Sequence, residues 1–503
     1  MPSNPMPTSP QLKSIISDLQ AIDTLRQISS LLSWDQETMM PTQAIDARAT
    51  QLTTMSGLIH DAWNAPSLAE KMSTFIDLSN GTPVSDMSTD VTAFMRELYP
   101  LWKRHTQLSK PLVQALSTAT ATGQHAWQQA REQQSFSIFA PHLSDIISLT
   151  KEKISELGVK QHPYDTLIDE FEPGMTVAQL DAIFTPLTKQ TIDFLSTFEP
   201  NNPMRIQGPF DPKIQLQYSK ELMTAMGYDT HRGRLDISTH PFTIDIHPTD
   251  VRITTRINPN TLFESMSSTI HEVGHGLYEQ GLDQRWAGTP YGSARSMGIH
   301  ESQSRLWEIF IGQSMPFWEG QLPRLHALFP STKSYDALDF FHASHRITPH
   351  WCRVESDVVT YNLHIMIRYE CEKALFSEDL TVDDLPDFWN DKMSSYLGID
   401  ITNDAQGCLQ DVHWSAGLFG YFPSYTLGTL IAAELHDRLT RHIENLDHQI
   451  RSGTFTPINT WLNQHVHSHG CKKTTARLLS DLGIRMSPDL FFSKLQKTIL
   501  VKP

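Results

Sequence analysis

Residues 271–275 read HEVGH, two histidines four apart with a glutamate directly after the first. On a helix, positions i and i+4 share a face, so His271 and His275 can grip one metal ion together. Glu272 points away from that pair yet stays near the ion, where a carboxylate can hold a water. This is the minimal apparatus for zinc-assisted hydrolysis of an amide bond. The bland alternative is an ordinary helix carrying two surface or core histidines. The flanking sequence favours a helix in either case. Leu262, Met266 and Ile270 recur every four residues, Val273 and Leu277 continue the apolar stripe, and no proline interrupts the run before Gly281, a plausible stop. Gly274 and Gly276 are poor helix formers. They make sense here if another segment must approach the helix closely.

A catalytic zinc site needs a third protein ligand and an open position. Twenty-six residues past His275 the chain reads GIHESQSRLWE, residues 298–308. Glu301 opens another helical run with Leu306, Ile309 and Phe310 as apolar positions. His300 competes with it, and neighbours on a helix point about 100° apart, so one of the two faces a metal. Spacing favours Glu301, with Glu308, nearly two turns on, the weaker option.

The elements that must hold these residues read mostly helical. Residues 11–33 form an amphipathic run with Leu12, Ile15, Ile16, Leu19, Ile22, Leu25 and Ile28 on one side. Residues 43–62, 87–105, 110–134, 141–157, 177–198 and 214–226 continue in that style, with prolines mainly between the runs. Residues 234–257 differ. Alternation and β-branched residues (Ile244, Ile246, Val251, Ile253, Thr254, Thr255) predict strands, and His247-Pro248-Thr249-Asp250 reads as the turn between two of them. A small antiparallel sheet therefore precedes the HEVGH helix. It serves either as an edge on which an extended peptide pairs or as a purely structural hairpin. No Gly/Ser linker or repeat divides the chain. The expectation is one mostly helical unit over residues 1–503: a helical N-terminal region (1–233), the sheet (234–257) and a helical region (258–503) that carries the site.

Composition narrows the partners. A net charge of −16 without a basic stripe argues against nucleic acid. The four cysteines, Cys352, Cys371, Cys408 and Cys471, are far apart and form no CxxC, which fits a reducing compartment. The N-terminal MPSNPMPTSPQLK has no apolar core of a signal peptide. The uncharged stretch 414–433 contains Pro423 and three glycines, which suits a packed or substrate-lining segment better than a membrane span. The expectation is a cytoplasmic protein with no membrane partner.

Six further segments carry a resemblance: LLSWDQETMMP (31–41), PYDTLIDEFEPGMT (163–176), His240-Pro241-Phe242, Asp250-Arg252-Thr254, CRVESD (352–357) and GCLQDVHW (407–414). With HEVGH and HESQS, they resemble in order the motifs of the M32 metallocarboxypeptidases, the thermostable carboxypeptidase Taq type, over almost the whole chain. Cys352 and Ser356 depart from the usual Ile and Ala of the IRxxAD motif, while Arg353 and Asp357 are kept. The resemblance implies a mostly helical fold with a deep cleft, usually a homodimer, and a metal held by His271, His275 and Glu301. Zinc is the default metal, with cobalt or manganese able to support such enzymes.

The remaining motif residues can be read chemically. A carboxypeptidase must recognise a free C-terminal carboxylate, and a planar guanidinium does so with two parallel hydrogen bonds. Arg353 is the candidate, the alternative being a helix ion pair with Asp357 four residues on. Asp250 and Arg252 more plausibly brace the hairpin. His240, in extended backbone before a proline, is a candidate donor to a substrate carbonyl. His413, Tyr421 and Tyr425 are candidates to stabilise an oxyanion, with packing as the alternative for each. The tract HVHSHGC (465–471) looks metal-binding but reads as structural, and Trp34-Asp35 as core. The function this predicts is release of single C-terminal residues from peptides with a free C-terminus, with Glu272 as general base. An endopeptidase or dipeptidase with the same metal site is the alternative within enzymes. A catalytically silent peptide-binding scaffold is the alternative outside them.

Overall fold

A computed structural model describes residues 9–198 and 205–499. Residues 1–8, which hold most of the N-terminal stretch read for a signal peptide, lie outside them. Helices dominate, and local chemistry marks many of their starts. Ser9 accepts from the backbone of Leu12 ahead of the helix Pro10–Thr38, and Ser88 does the same for Val91 ahead of Thr89–Gln107. Reciprocal capping boxes open Pro163–Phe171 and Val177–Thr197. Prolines do not only punctuate, because Pro100, Pro186 and Pro323 lie inside helices. The apolar stripe of the first helix is buried from Leu12 to Ile22, but Ile28 is exposed. The stripe thus ends sooner than its periodicity suggests.

The sheet has three strands: β1 (Gly233–Ile237), β2 (Thr243–His247) and β3 (Asp250–Thr255), in the order β1-β3-β2. The hairpin turn falls at His247–Asp250 as the sequence predicts, and Thr243 pairs with Ile253 across it. The sheet is mixed rather than wholly antiparallel, because β1 runs parallel to β3 with Gly233 opposite Val251. Alternation along a strand reports its two faces, not the direction of its neighbour, so this pairing is invisible in the sequence. The helix Phe263–Gly281 packs on β3 through hydroxyls: Thr255 Oγ1 lies 2.8 Å from Ser268 Oγ and 3.1 Å from Thr269 Oγ1.

Three apolar clusters build the interior. One gathers helices 140–197 and 361–397, and a second surrounds the HEVGH helix with Met266, Ile270, Val273 and Leu277. The helix Pro423–His442 belongs to both, giving Leu427 and Leu430 to the first and Ile431 and Leu435 to the second. The third lies under the N-terminal helices and reaches Trp286 and Tyr291. Pro423–His442 covers much of the uncharged stretch, and no described helix is long and apolar enough to cross a membrane.

Candidate metal centre

HEVGH sits in mid-helix, and Gly274 explains how a second helix reaches it. A Cβ on Gly274 would lie 2.7 Å from Ser304 Cα and 2.8 Å from the Gln303 carbonyl, so only glycine admits the helix Met297–Arg305 at this distance. That approach brings Glu301 to the histidines. Its Oε2 lies 3.6 Å from His271 Nε2 and 3.4 Å from His275 Nε2, and one donor atom from each of the three residues fits within 4.8 Å of the others. Bonds of about 2.0–2.1 Å in a tetrahedron place ligands about 3.4 Å apart, so this donor set fits a zinc-sized ion. Among the described residues it is the one such cluster of His, Cys, Asp and Glu.

Each imidazole is oriented from behind. His271 Nδ1 lies 2.8 Å from Glu308 Oε2, and Glu308 in turn accepts from Ser267 Oγ at 2.6 Å and from Arg305 at 3.2 Å. Glu308 stands on Leu306–Ile311, where the helix widens into π-type turns, a distortion frequent at functional sites. His275 Nδ1 faces His300 Nδ1 at 2.6 Å, and His300 Nε2 faces Glu279 Oε1 at 2.8 Å. One tautomer assignment satisfies this chain: His300 donates to Glu279, and His275 donates to His300. The Nε2 lone pairs of His271 and His275 are then both free for an ion. His300 therefore backs a histidine instead of facing the Glu301 cluster, and Glu308 does the same for His271.

The electrostatics of the metal-free site set the two rings apart, with a proton on His271 that an ion must displace and none on His275. Burial lowers the His271 pKa, but Glu301 and Glu308 outweigh it and lift the group to about 9. Burial and His300 push His275 down to about 3. Burial opposes ionisation of Glu301, yet Arg305, whose Nε donates to Glu301 Oε1 at 2.7 Å, and the imidazoles hold the carboxyl well below its usual range. Glu272 is buried, which raises its pKa, and the Thr243 hydroxyl of β2 donates to its Oε2 at 2.7 Å.

A second group assembles beside the first. The His413 and Tyr421 rings lie tilted with centres 5.7 Å apart, Tyr421 and Tyr425 meet edge-on at 5.2 Å, and the Arg353 guanidinium lies 5.2 Å from the Tyr425 ring centre. Arg353 does not pair with Asp357. Its Nε and Nη2 donate to Asp411 Oδ1 at 3.0 and 2.8 Å, and its Nη1 donates to Tyr361 Oη at 3.0 Å. Asp357 instead accepts the backbone N–H groups of Val359 and Thr360, both at 2.9 Å, ahead of the helix Tyr361–Phe376. Arg368 also binds Asp411, at 2.5 Å, so one carboxylate answers two guanidiniums. A cavity of about 560 Å3, lined among others by Arg305, Glu308, Val354 and Tyr361, opens between the Glu301 side and the Arg353 segment.

Other residues stand apart. His240 is exposed between β1 and β2, with its carbonyl bound by Ser238 Oγ at 2.5 Å. Arg252 grips Asp250 with two bonds of 2.8 and 2.9 Å and lies over Trp34 at 4.3 Å, bracing the hairpin against the first helix. In the HVHSHGC tract, His467 is buried against Tyr278 and bonds Gln303 Oε1 at 2.9 Å, with no metal cluster there among the described residues. Sequence reasoning missed Glu279, Thr243 and Asp411. Glu279 carries a signal, standing four residues after His275 on the same face; the other two act across the fold.

The carboxypeptidase Taq (M32) metallopeptidase family model matches residues 14–499. The chain is 37% identical over 462 residues to thermostable carboxypeptidase 1 of Thermus thermophilus, covering 89% of this chain and 90% of that protein. It is 36% identical over 478 residues to carboxypeptidase 1 of Bacillus subtilis, covering 93% and 94%. The solved structure of a Pyrococcus furiosus carboxypeptidase superimposes with a TM-score of 0.93 at 30% identity, over 99% of this chain and all of that one.

Proposed function

The chain belongs to the carboxypeptidase Taq (M32) metallopeptidase family and is a metal-dependent carboxypeptidase, and from that premise we propose how its residues divide the work. One divalent ion is held by His271, His275 and Glu301. The observation that carries this reading is the convergence of their donor atoms beside the buried Glu272. Two neutral imidazoles and a carboxylate leave a position open, the pattern of catalytic zinc, although cobalt or manganese suits the same donors. When bound, the ion supplies Lewis-acid polarisation of the scissile carbonyl and a lower pKa for the attacking water.

Glu272 takes the proton of that water and returns it to the leaving amine nitrogen. The Thr243 hydroxyl occupies Oε2 of Glu272, which supports Oε1 as the proton-accepting atom. Arg353 anchors the terminal carboxylate of the peptide. The two guanidiniums around Asp411 support this, since an added anion offsets the second of them. The Thr243 end of β2 aligns the substrate backbone, and His240 donates to a substrate carbonyl. His413, Tyr421 and Tyr425 offer neutral donors to the developing oxyanion. The reading extends to the whole chain as one catalytic unit, a homodimer resident in the cytoplasm. Four cysteines, all free, fit a reducing compartment.

The test uses short N-blocked peptides with free or amidated C-termini, on protein stripped of metal and on protein reloaded with zinc. The expected result is release of single C-terminal residues from free-acid peptides by the reloaded protein alone. Cleavage of amidated peptides at the same rate would make it an endopeptidase.

A further inference from the structure

We propose that Glu172 is a positioning residue for the hydrolysis: a buried carboxylate that ties the helix of Glu301 to the helix of Tyr425. The inference rests on the reading of Glu301 as a metal ligand and deepens it. Glu172 belongs to a segment with no proposed role in the chemistry, the residue after the helix Pro163–Phe171, and its side chain is buried. Its Oε1 accepts from the backbone N–H of Gly298 and, at 2.7 Å, from the Ser424 hydroxyl. Gly298 is the second residue of Met297–Arg305, and Ser424 is the second residue of Pro423–His442. The first N–H groups of a helix lack partners within it, and the positive end of its dipole favours an anion. One carboxylate oxygen thus serves two helix starts at once. The Ser296 hydroxyl and the charge of Arg295, which also binds Glu97, add to the compensation for a carboxylate held out of water.

What this clamp sets is the spacing at the site. Glu301 is one turn beyond Gly298, and Tyr425 follows Ser424 directly. Between the two helices, a Cβ on Gly428 would lie 2.6 Å from both Cβ and Cγ of Glu301, so the proposed ligand is in direct contact with the tyrosine-bearing helix. A shift at the Gly298 end is transmitted to Glu301, and a shift at the Ser424 end to the oxyanion side. Glu372 provides a matched comparison. It is also fully buried and accepts from Tyr164 Oη, Trp414 Nε1 and the Gly420 N–H at 2.5, 2.8 and 2.8 Å, but none of these partners lies on the Glu301 helix.

The experiment compares Glu172→Gln, Ser424→Ala, Glu372→Gln and Glu301→Ala in the full chain. It measures zinc affinity by chelator competition, the visible spectrum of the cobalt-loaded protein, and kcat and KM on one free-acid peptide. In Glu172→Gln the amide oxygen in place of Oε1 can still take both donors, but the negative charge that answers the two helix starts is lost and an NH2 group replaces Oε2. Glu172→Gln should weaken zinc binding about tenfold or more, shift the cobalt bands, and lower kcat more than it raises KM. Ser424→Ala keeps the Gly298 bond and should lower kcat while zinc affinity stays at the wild-type value. Glu372→Gln should lower the melting temperature without moving zinc affinity. A folded Glu172→Gln protein with wild-type zinc affinity, cobalt spectrum and kcat overturns the proposal. If that variant does not fold, an unchanged kcat in Ser424→Ala overturns it. Retained zinc affinity in Glu301→Ala overturns the ligand assignment itself, a different failure from loss of zinc in Glu301→Ala with Glu172→Gln unaffected.

Discussion

His275 and His300 meet nitrogen to nitrogen, Nδ1 to Nδ1 at 2.6 Å, and the far nitrogen of His300 rests on Glu279. The contact settles the orientation of both rings. A histidine that spends Nδ1 on a hydrogen bond presents Nε2 to an ion, and the group behind it fixes the tautomer. Adjacent residues on one helix, His300 and Glu301, thereby take different duties, one behind a ring and one beside the convergence point.

The first prediction separates those duties. Glu301→Ala should abolish zinc binding at catalytic concentrations, because two imidazoles rarely hold the ion alone. His300→Ala should weaken it about 10- to 100-fold, the usual cost of losing a group that orients a ligand. Equilibrium dialysis against a zinc buffer reads both. The reverse ranking would make His300 the ligand.

Glu272→Gln should keep zinc and lose nearly all turnover, about 10²–10⁴-fold in kcat, since the amide matches the carboxylate in shape but accepts no proton. Pre-steady-state assays on metal-saturated protein measure it, and a wild-type rate sinks the assigned base. Thr243→Val should lower kcat less, because it frees Glu272 to rotate without removing it.

What could be read in advance was local. The i, i+4 spacing of His271 and His275 is a property of one helix, and the turn at His247–Asp250 is four consecutive residues. The groups that finish the site act over long separations. Thr243 lies 29 residues from Glu272, and Asp411 lies 58 from Arg353. Spacing suggested Asp357 for Arg353, but Asp357 spends its carboxylate on backbone donors near a helix start. A local pairing rule cannot register such competition. The parallel partner of β3 escaped for a similar reason, since alternation along β1 does not report which strand it pairs with or in which direction.

The metal-free site should respond to pH through His271. Its folded pKa of about 9 lies above the ordinary 6.5, so the imidazolium beside Glu301 and Glu308 stabilises the metal-free fold below pH 6.5. That stabilisation is lost as pH rises through 9. Zinc must displace the same proton, so its affinity should climb by about tenfold per pH unit up to about 9, not level off near 6.5. Chelator competition from pH 6 to 10 reads the bend, and a plateau at 6.5 would show that the two carboxylates do not hold the proton on His271.

Arg353→Ala should mainly weaken peptides with a free C-terminus. Losing the charged partner of a desolvated carboxylate costs roughly 2–5 kcal/mol, about 30-fold or more in kcat/KM at 1.4 kcal/mol per decade. Amidated peptides, already poor substrates, should lose much less. The comparison matters because Arg353 also binds Asp411 and Tyr361, so its removal disturbs packing for every substrate alike. Arg368 stays on Asp411 in the variant and keeps that carboxylate compensated. The ratio of the two losses therefore isolates the substrate contact. Equal losses would reduce Arg353 to a structural partner of Asp411. Two other arginines are already committed, Arg305 to Glu301 and Glu308 and Arg252 to Asp250. In that outcome the anchor would have to come from neutral donors, with His413 and Tyr425, which stand next to Arg353, the first to test.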